Sequence, residues 1–377
     1  MKYNKDFVDL EGFENDINED SIVFIGEYHG IKENFIIRKE MIMFLNENSN
    51  LKYLLFEISP ADAYRLNEYL SNGDITILDS WFKEKKGTPA WTSEYYNFFT
   101  WLRDYHTSNG DKFIIVGCDV QHQKDVTVNI LLELLSKYKP TDMMKNQILG
   151  LQNYEVINEE DKYIFYNQFL EEIENNKEEY NEIFNEDYYT IYSIFKSIVR
   201  GYEAYEDKQS DCNMFYNIRD KFMYENLKLF NEFAEKGVYF GQFGYLHTLQ
   251  KADDNIEWFA TRIKEDEELK LQVTTINLFY TDCKSLVVHK DSNSQYSERY
   301  ISTFKNNEFP IVNKDFNDVK TLYKLDDKGS IFTNEYYLNI HSNSAEDDYK
   351  GVTTDYLQYF IRFFGCDATT PLNESEN

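Results

Sequence analysis

An acid and an imidazole stand two residues apart in Ser21-Ile-Val-Phe-Ile-Gly-Glu-Tyr-His-Gly30, where Glu27 and His29 close an apolar run. A neutral histidine in such a place can act as a base, given hydrogen-bond reach to a water and a pKa near neutrality. Three more apolar runs end in polar groups of the same kind. Lys52–Ile58 carries Glu57, Lys112–Gly117 leads into Asp119, and Val238–Phe243 leads through Gly244-Tyr-Leu to His247. A polar residue at one strand end is common; its recurrence at four points to a shared site. Glu27, His29, Glu57 and His247 are also two carboxylates and two imidazoles, an acceptable ligand set for a divalent metal ion that keeps a water bound. Covalent catalysis has less support, because the chain has no G-x-S-x-G elbow and no cysteine in a nucleophile motif. Simpler roles remain open at each position: Glu57 and Asp119 as helix caps, His247 as a satisfied loop residue, Arg219 as an ion-pair partner in a helical layer.

These residues need elements that bring them together. Ile22–Ile25 reads as a strand buried on both faces. Gly26 and Gly30 permit a tight turn, and helical spacing (Ile37, Met41, Phe44) begins after Ile31. The dyad thus lies between a strand's carboxyl end and a helix's amino end. Open α/β sheets bind ligands there, and the helix dipole disfavours a protonated imidazole. Ser59-Pro60 opens another helix, and Trp91-Thr-Ser-Glu94 begins a third. Three βα units in about 130 residues argue for a parallel sheet. From Thr141 to Lys236 the pattern is helical. Its last helix, from Ser210-Asp211 towards Gly237, carries an apolar stripe bordered by Arg219 and Asn226, both placed to reach a cleft. Val238–Phe243 and Leu271–Tyr280 resume the sheet. Short alternating runs such as Ile331–Ile340 suggest antiparallel strands, and Thr353–Phe364 suggests a helix.

The expected fold is therefore α/β, a mainly parallel central sheet flanked by helices, with a helical insertion and a short-stranded C-terminal region. The expected segments are 1–140, a helical insertion over 141–236, the rest of the core over 237–370, and a disordered tail over 371–377.

Composition narrows the partners. Against 39 basic residues stand 67 acidic ones, a formal charge of -28. A field of that sign repels phosphate backbones and anionic membranes, which leaves a small molecule, bulky and neutral or cationic, as the expected ligand. The 31 tyrosines and 29 phenylalanines read as core and cleft lining. Cys118, Cys212, Cys283 and Cys366 lie far apart without a C-x-x-C pair, as in a reducing compartment. With no apolar signal core at Met1-Lys-Tyr-Asn and no run of ~20 apolar residues, a cytoplasmic location is expected. His106, His122, His289 and His341 lack motif context and read as structural or exposed.

Several of these pieces, in order, resemble the erythromycin esterase family, and more distantly the superfamily of Tiki-type metalloproteases and ChaN-like haem-uptake proteins. They are Gly26-Glu27-Tyr28-His29-Gly30 with Glu33, Phe56-Glu57, Trp91-Thr-Ser-Glu94 leading to Trp101-Leu-Arg103, Gly117-Cys118-Asp119-Val-Gln121, and Ile218-Arg219-Asp220-Lys-Phe-Met223-Tyr-Glu-Asn226-Leu227, followed by a strand and His247. The resemblance implies a hydrolase whose motif histidine, here His29, activates water to attack an ester or related acyl bond. Glu27 or Glu57 would orient the base or polarise the water, and His247 or Arg219 would stabilise the oxyanion. Glu33, Arg38, Trp91, Glu94, Arg103, Asp119 and Asn226 would bind substrate or support the site. Only Tyr28 separates Glu27 from His29, as in the shorter Gly-Glu-x-His form of ChaN-like proteins, and Gly244 stands where the esterases commonly carry a first histidine. The alternative these features imply is a ligand-binding protein, for haem or another group, without turnover.

Overall fold

The computed structural model describes residues 8, 10–207, 212–252, 255–289, 295–302, 322–336 and 351–372. Its strands are β1 (Ser21–Glu27), β2 (Leu51–Phe56), β3 (Ile114–Gly117), β4 (Val238–Gly244), β5 (Gln272–Thr281), β6 (Cys283–Val288), β7 (Tyr296–Ile301), β8 (Leu322–Lys324) and β9 (Tyr359–Phe364). Seven form one sheet in the order β3-β2-β4-β1-β5-β9-β8, and β6 pairs with β7 in a hairpin. β1 pairs in parallel with β4 and β5, and β5 in parallel with β9; β8 is antiparallel to β9. Helices flank this mainly parallel sheet, the expected α/β architecture.

The chain divides into two compact units. The first holds residues 1–55, 68–114 and 236–377. All seven residues of β1 are buried in it, which explains the unbroken apolar run before Glu27: a strand with parallel neighbours on both edges and covered faces has no solvent side. The helix Glu33–Asn48 buries Ile37, Met41, Ile42 and Leu45. The helix Ser93–Ser108 is capped by Thr92, whose hydroxyl accepts from the Tyr95 amide at 3.3 Å. Much of the aromatic excess is core here, as in the edge-to-face packing of Trp81 on Phe82 and Phe99.

The second unit, residues 56–67 and 115–235, is built around helices with Tyr166, Phe169, Tyr180, Ile191, Phe195 and Ile198 at its centre. The helical region begins earlier than the expected boundary at 141. It includes the ends of β2 and β3, because the helix Val128–Ser136 buries Leu131, Leu134 and Leu135 in the same core.

Two expectations near the C terminus are corrected. Thr353–Phe364 is not one helix: it is a single turn at Thr353–Tyr356 followed by β9. Tyr-Phe-Ile-Arg-Phe-Phe is a six-residue aromatic and β-branched run, and pairing with β5 from Ile276↔Tyr359 to Thr281↔Phe364 outweighs helical spacing. Nor are Pro371 and Leu372 a loose tail. Pro371 bridges Thr92, and buried Leu372 donates its amide to the Trp91 carbonyl at 3.2 Å. Residues 373–377 and His341 lie outside the described residues. Of the run Ile331–Ile340, Ile331–Thr333 forms a 3-10 turn and 337–340 lie outside the description.

Candidate active site

In the first unit, β1 delivers Glu27 as its last residue, 6% exposed and opposite Gly244 in the β4 register. The imidazole of His29 turns back so that Nδ1 lies 2.8 Å from Glu27 Oε1, while its side chain stays 52% exposed. A buried carboxylate accepting from Nδ1–H sets the neutral tautomer and leaves the lone pair on Nε2. On the other carboxylate oxygen, Arg38 Nη2 approaches to 3.4 Å and Gln242 Nε2 donates a close hydrogen bond. Arg38 is buried among Phe35, Tyr95 and Phe98, its guanidinium 5.3–5.7 Å from the three ring centres. Burial alone would raise the Glu27 pKa. The His29 hydrogen bond, the charge of Arg38 and the Gln242 amide outweigh it, so the carboxyl sits below its ordinary value.

The turn that carries His29 is clamped from several sides. Gly30 adopts φ +82, and a Cβ there would lie 2.4 Å from the Leu286 carbonyl oxygen, so only glycine fits. Leu286 and Thr369 both donate their amides to the Gly30 carbonyl, at 2.8 and 2.9 Å, and Ser285 Oγ donates to the His29 carbonyl at 2.8 Å. Asn34 Nδ2 donates to the Tyr28 carbonyl at 2.8 Å while its Oδ1 accepts from the buried Tyr280 hydroxyl at 2.6 Å. Gly26 belongs to β1 rather than to the turn. Its missing side chain admits Asn277 Oδ1 and Thr248 Oγ1, 2.2 and 2.5 Å from where a Cβ would sit.

His247 lies in the 3-10 turn Tyr245–Thr248 after β4, 4% exposed, with its ring edge-on to Trp258 at 6.2 Å. Glu94 holds the C-terminal segment, accepting from the Thr370 amide at 2.8 Å, and Lys32 lies 3.6 Å from it. Trp91 is buried at the same place. Arg103 reaches the Ser71 carbonyl at 3.4 Å and Asp111 at 3.8 Å. Glu94, Trp91 and Arg103 thus each contact another segment of the first unit.

The second unit has its own cluster. Arg219, on the helix Cys212–Phe233, grips Asp119 with Nε to Oδ1 at 3.0 Å and Nη2 to Oδ2, and the same Nη2 reaches Glu57 Oε1 at 2.9 Å. Asp119 is fully buried, and two hydrogen bonds to one guanidinium are the geometry in which an ion pair withstands that. Burial pushes the Asp119 carboxyl up, but Arg219 and His122 hold it well below the usual carboxylate range. The Arg219 pKa, which burial lowers, is carried well above its ordinary value by Asp119, Glu57 and Asp220. Asn226, two turns along the helix, donates to the Gly117 carbonyl at 2.7 Å, fixing the end of β3. Ser59, rather than Glu57, caps the helix Pro60–Asn72, accepting from the Asp62 amide at 3.1 Å.

Sequence reasoning missed one residue and left the partners of another open. Gln242 was read only as part of a glycine-flanked strand, although a lone amide within Val-Tyr-Phe-Gly-Gln-Phe is itself a signal for a buried polar partner. His122, read as structural or exposed, is 38% exposed and holds the cluster, its Nε2 2.9 Å from Asp119 Oδ2 and its Nδ1 2.7 Å from the Tyr205 hydroxyl. Its spacing of three from Asp119 was the available sign. Among the described residues no group of three or more histidine, cysteine, aspartate or glutamate side chains is placed to hold a metal ion. The four residues read as a ligand set therefore do not appear there as one.

The model of the erythromycin esterase family matches residues 47–242, just over half of the 377-residue chain. The chain belongs to the erythromycin esterase family. The matched span of this family member contains Glu57, Asp119 and Arg219; it starts after the Glu27–His29 turn and stops before His247. Solved structures of similar fold cover nearly all of it. A Bacillus cereus protein is 18% identical, covering 99% of this chain and 94% of that one with a TM-score of 0.71. An EreC erythromycin esterase mutant in its open conformation is 12% identical, covering 97% and 96% with a TM-score of 0.71. A succinoglycan biosynthesis protein is 14% identical, covering 96% and 92% with a TM-score of 0.65. At these identities the likeness is one of fold. No curated protein sequence matches the family member significantly, and none of its described helices is long and apolar enough to cross a membrane.

Proposed function

We propose that this chain is an esterase-like hydrolase in which His29 activates water to cleave an ester or related acyl bond of a small molecule. The observation that carries the reading is the contact of a buried, ionised Glu27 with Nδ1 of a half-exposed His29. Nε2 takes a proton from water as its oxygen bonds to the acyl carbon. The imidazolium is stabilised by Glu27 and returns the proton to the departing alkoxide, so no covalent acyl-enzyme forms. Water activation of this kind contributes about 10²- to 10⁴-fold. Family membership supports the reaction class, and the formal charge of -28 favours a neutral or cationic substrate over an anionic one. A panel of macrolide lactones, aryl esters and acylated amino alcohols, followed by acid release, tests the proposal. Turnover of at least one class above the buffer rate is expected, and inertness across the panel would sink it.

The proposal gives Gln242 a positioning role through Glu27. Gln242→Leu keeps the volume but removes a donor to a buried carboxylate, a loss of ~1.5 kcal/mol for a charge-assisted bond. The expected result is a roughly tenfold fall in kcat/KM, with the acid limb of the pH profile moved upward because the Glu27 carboxyl is less well stabilised as an anion. A profile scaled down without moving would assign Gln242 a packing role instead.

A further inference from the structure

Cys283 opens β6 and Cys366 follows β9, and the tertiary structure brings the two together although 82 residues separate them in the chain. The Cys366 amide donates to Cys283 Sγ at 3.2 Å, and the Lys284 amide donates to the Cys366 carbonyl at 2.7 Å. Backbones one hydrogen bond apart fall within the Cα separation that a disulfide spans. Both residues are buried, at 0% and 5% exposure. Cys283 Sγ also lies 3.4 Å from the Thr281 carbonyl oxygen and 3.9 Å from that of Phe363, and Cys366 Sγ 4.0 Å from that of Phe364. Each thiol is the leading influence on the other's ionisation: Cys283 is drawn below the ordinary thiol value by the Cys366 thiol and amide, and Cys366 is pushed far above it. Glu33 Oε2 is buried without a hydrogen-bond partner, and its carboxylate adds to the rise of the Cys366 thiol.

We propose that Cys283 and Cys366 form a reversible oxidative modification site, closing to a disulfide in the presence of a small hydroperoxide. Cys283, whose sulfur accepts the Cys366 amide, attacks one peroxide oxygen as a thiolate; the O–O bond breaks, and the sulfenic acid and water result. Cys366 then attacks the sulfenyl sulfur, its proton passing by way of Glu33 to the leaving hydroxide. Two thiols and one hydrogen peroxide give one disulfide and two waters. An uncharged, water-sized oxidant suits so closed a site, and a bulky disulfide such as oxidised glutathione does not. Cys118 is the internal contrast: it is buried, and burial followed by the charge of Asp119 pushes its thiol pKa upward, so it stays inert.

The location gives the bond a consequence. β6 supplies Ser285 and Leu286 to the His29 turn, and the segment after Cys366 supplies Asp367, whose carbonyl accepts from Lys32 at 3.0 Å, and Thr369. A disulfide would staple the two arms that hold this turn. The site does not depend on which bond the protein hydrolyses.

The test treats the full-length wild-type protein with hydrogen peroxide or with oxidised glutathione, alkylates it, digests it and reads the peptides by mass. With peroxide, a Cys283–Cys366 peptide pair lighter by two hydrogens and lost on reduction is expected, with Cys118 and Cys212 still alkylated. Melting temperature should rise by about 4 °C and return with reductant. Cys366→Ser should leave Cys283 as a dimedone-reactive sulfenic acid, while Cys283→Ser should leave Cys366 unoxidised. The proposal is overturned if both thiols stay alkylatable, if Cys283 goes to sulfinic acid without cross-linking in wild type, or if glutathione forms a mixed disulfide at either position. The wild-type result decides the matter even if a variant fails to fold.

Discussion

Replacing His29 by alanine lowers kcat for whichever ester the protein cleaves by about 10²- to 10⁴-fold, the range of general-base catalysis. The fold should survive. The imidazole is half-exposed, and its loss removes one contact from Glu27 while Arg38 and Gln242 remain. Stability should change by about 1 kcal/mol or less, the range for exposed pairs. KM should stay near the wild-type value, because the lost interaction belongs to the transition state. His29→Gln separates base from spacer: it can still donate to Glu27 but cannot take a proton, so it should be as inactive as the alanine variant. Added imidazole should restore part of the activity of His29→Ala alone. Steady-state kinetics with melting curves suffices, and full activity in either variant would remove His29 from the mechanism.

Replacing Arg219 by alanine should be the most damaging substitution for stability. It leaves Asp119, with no exposed surface, and Glu57 facing each other without their shared cation. Breaking a buried pair in this way costs about 3–5 kcal/mol, a melting temperature lower by roughly 5 °C. Arg219→Lys keeps the charge but cannot fork between two carboxylates, and should recover less than half of the loss. The pH dependence has a definite sign. The folded-state pKa of Asp119 is depressed, so its contribution is complete above the unfolded value of about 3.9 and is lost as pH falls through that value towards the folded one. The stability gap between wild type and Arg219→Ala should therefore be full at neutral pH and shrink below about pH 4. Urea midpoints at both pH values measure it. A gap of the same size in acid would mean that Arg219 contributes by packing on Phe215, 5.3 Å from its guanidinium, rather than by charge.

Much of this arrangement was legible in the sequence because it follows from local rules. A continuous apolar run can only be a strand with both faces covered, so β1, β2 and β4 and the acids at the ends of β1 and β2 could be read directly. Glycine at position 30 announced a turn, and Arg219 and Asn226 two turns apart announced one helical face turned towards the strand ends. What local rules could not supply was the identity of partners across long gaps. Thr353–Phe364 has helical spacing in isolation and becomes a strand because β5 offers it a parallel edge. Gln242 and His122 carry no motif, and their meaning comes from a carboxylate that only folding places beside each. Cys283 and Cys366, read as unrelated free thiols, become neighbours through the same β5–β9 pairing. The sequence by itself thus determined which residues carry charge and which runs must be buried, since both are properties of side chains and their period. Tertiary structure alone decided which carboxylate holds which cation, imidazole or amide, because a hydrogen bond is set to within a few tenths of an ångström by packing that no single segment encodes.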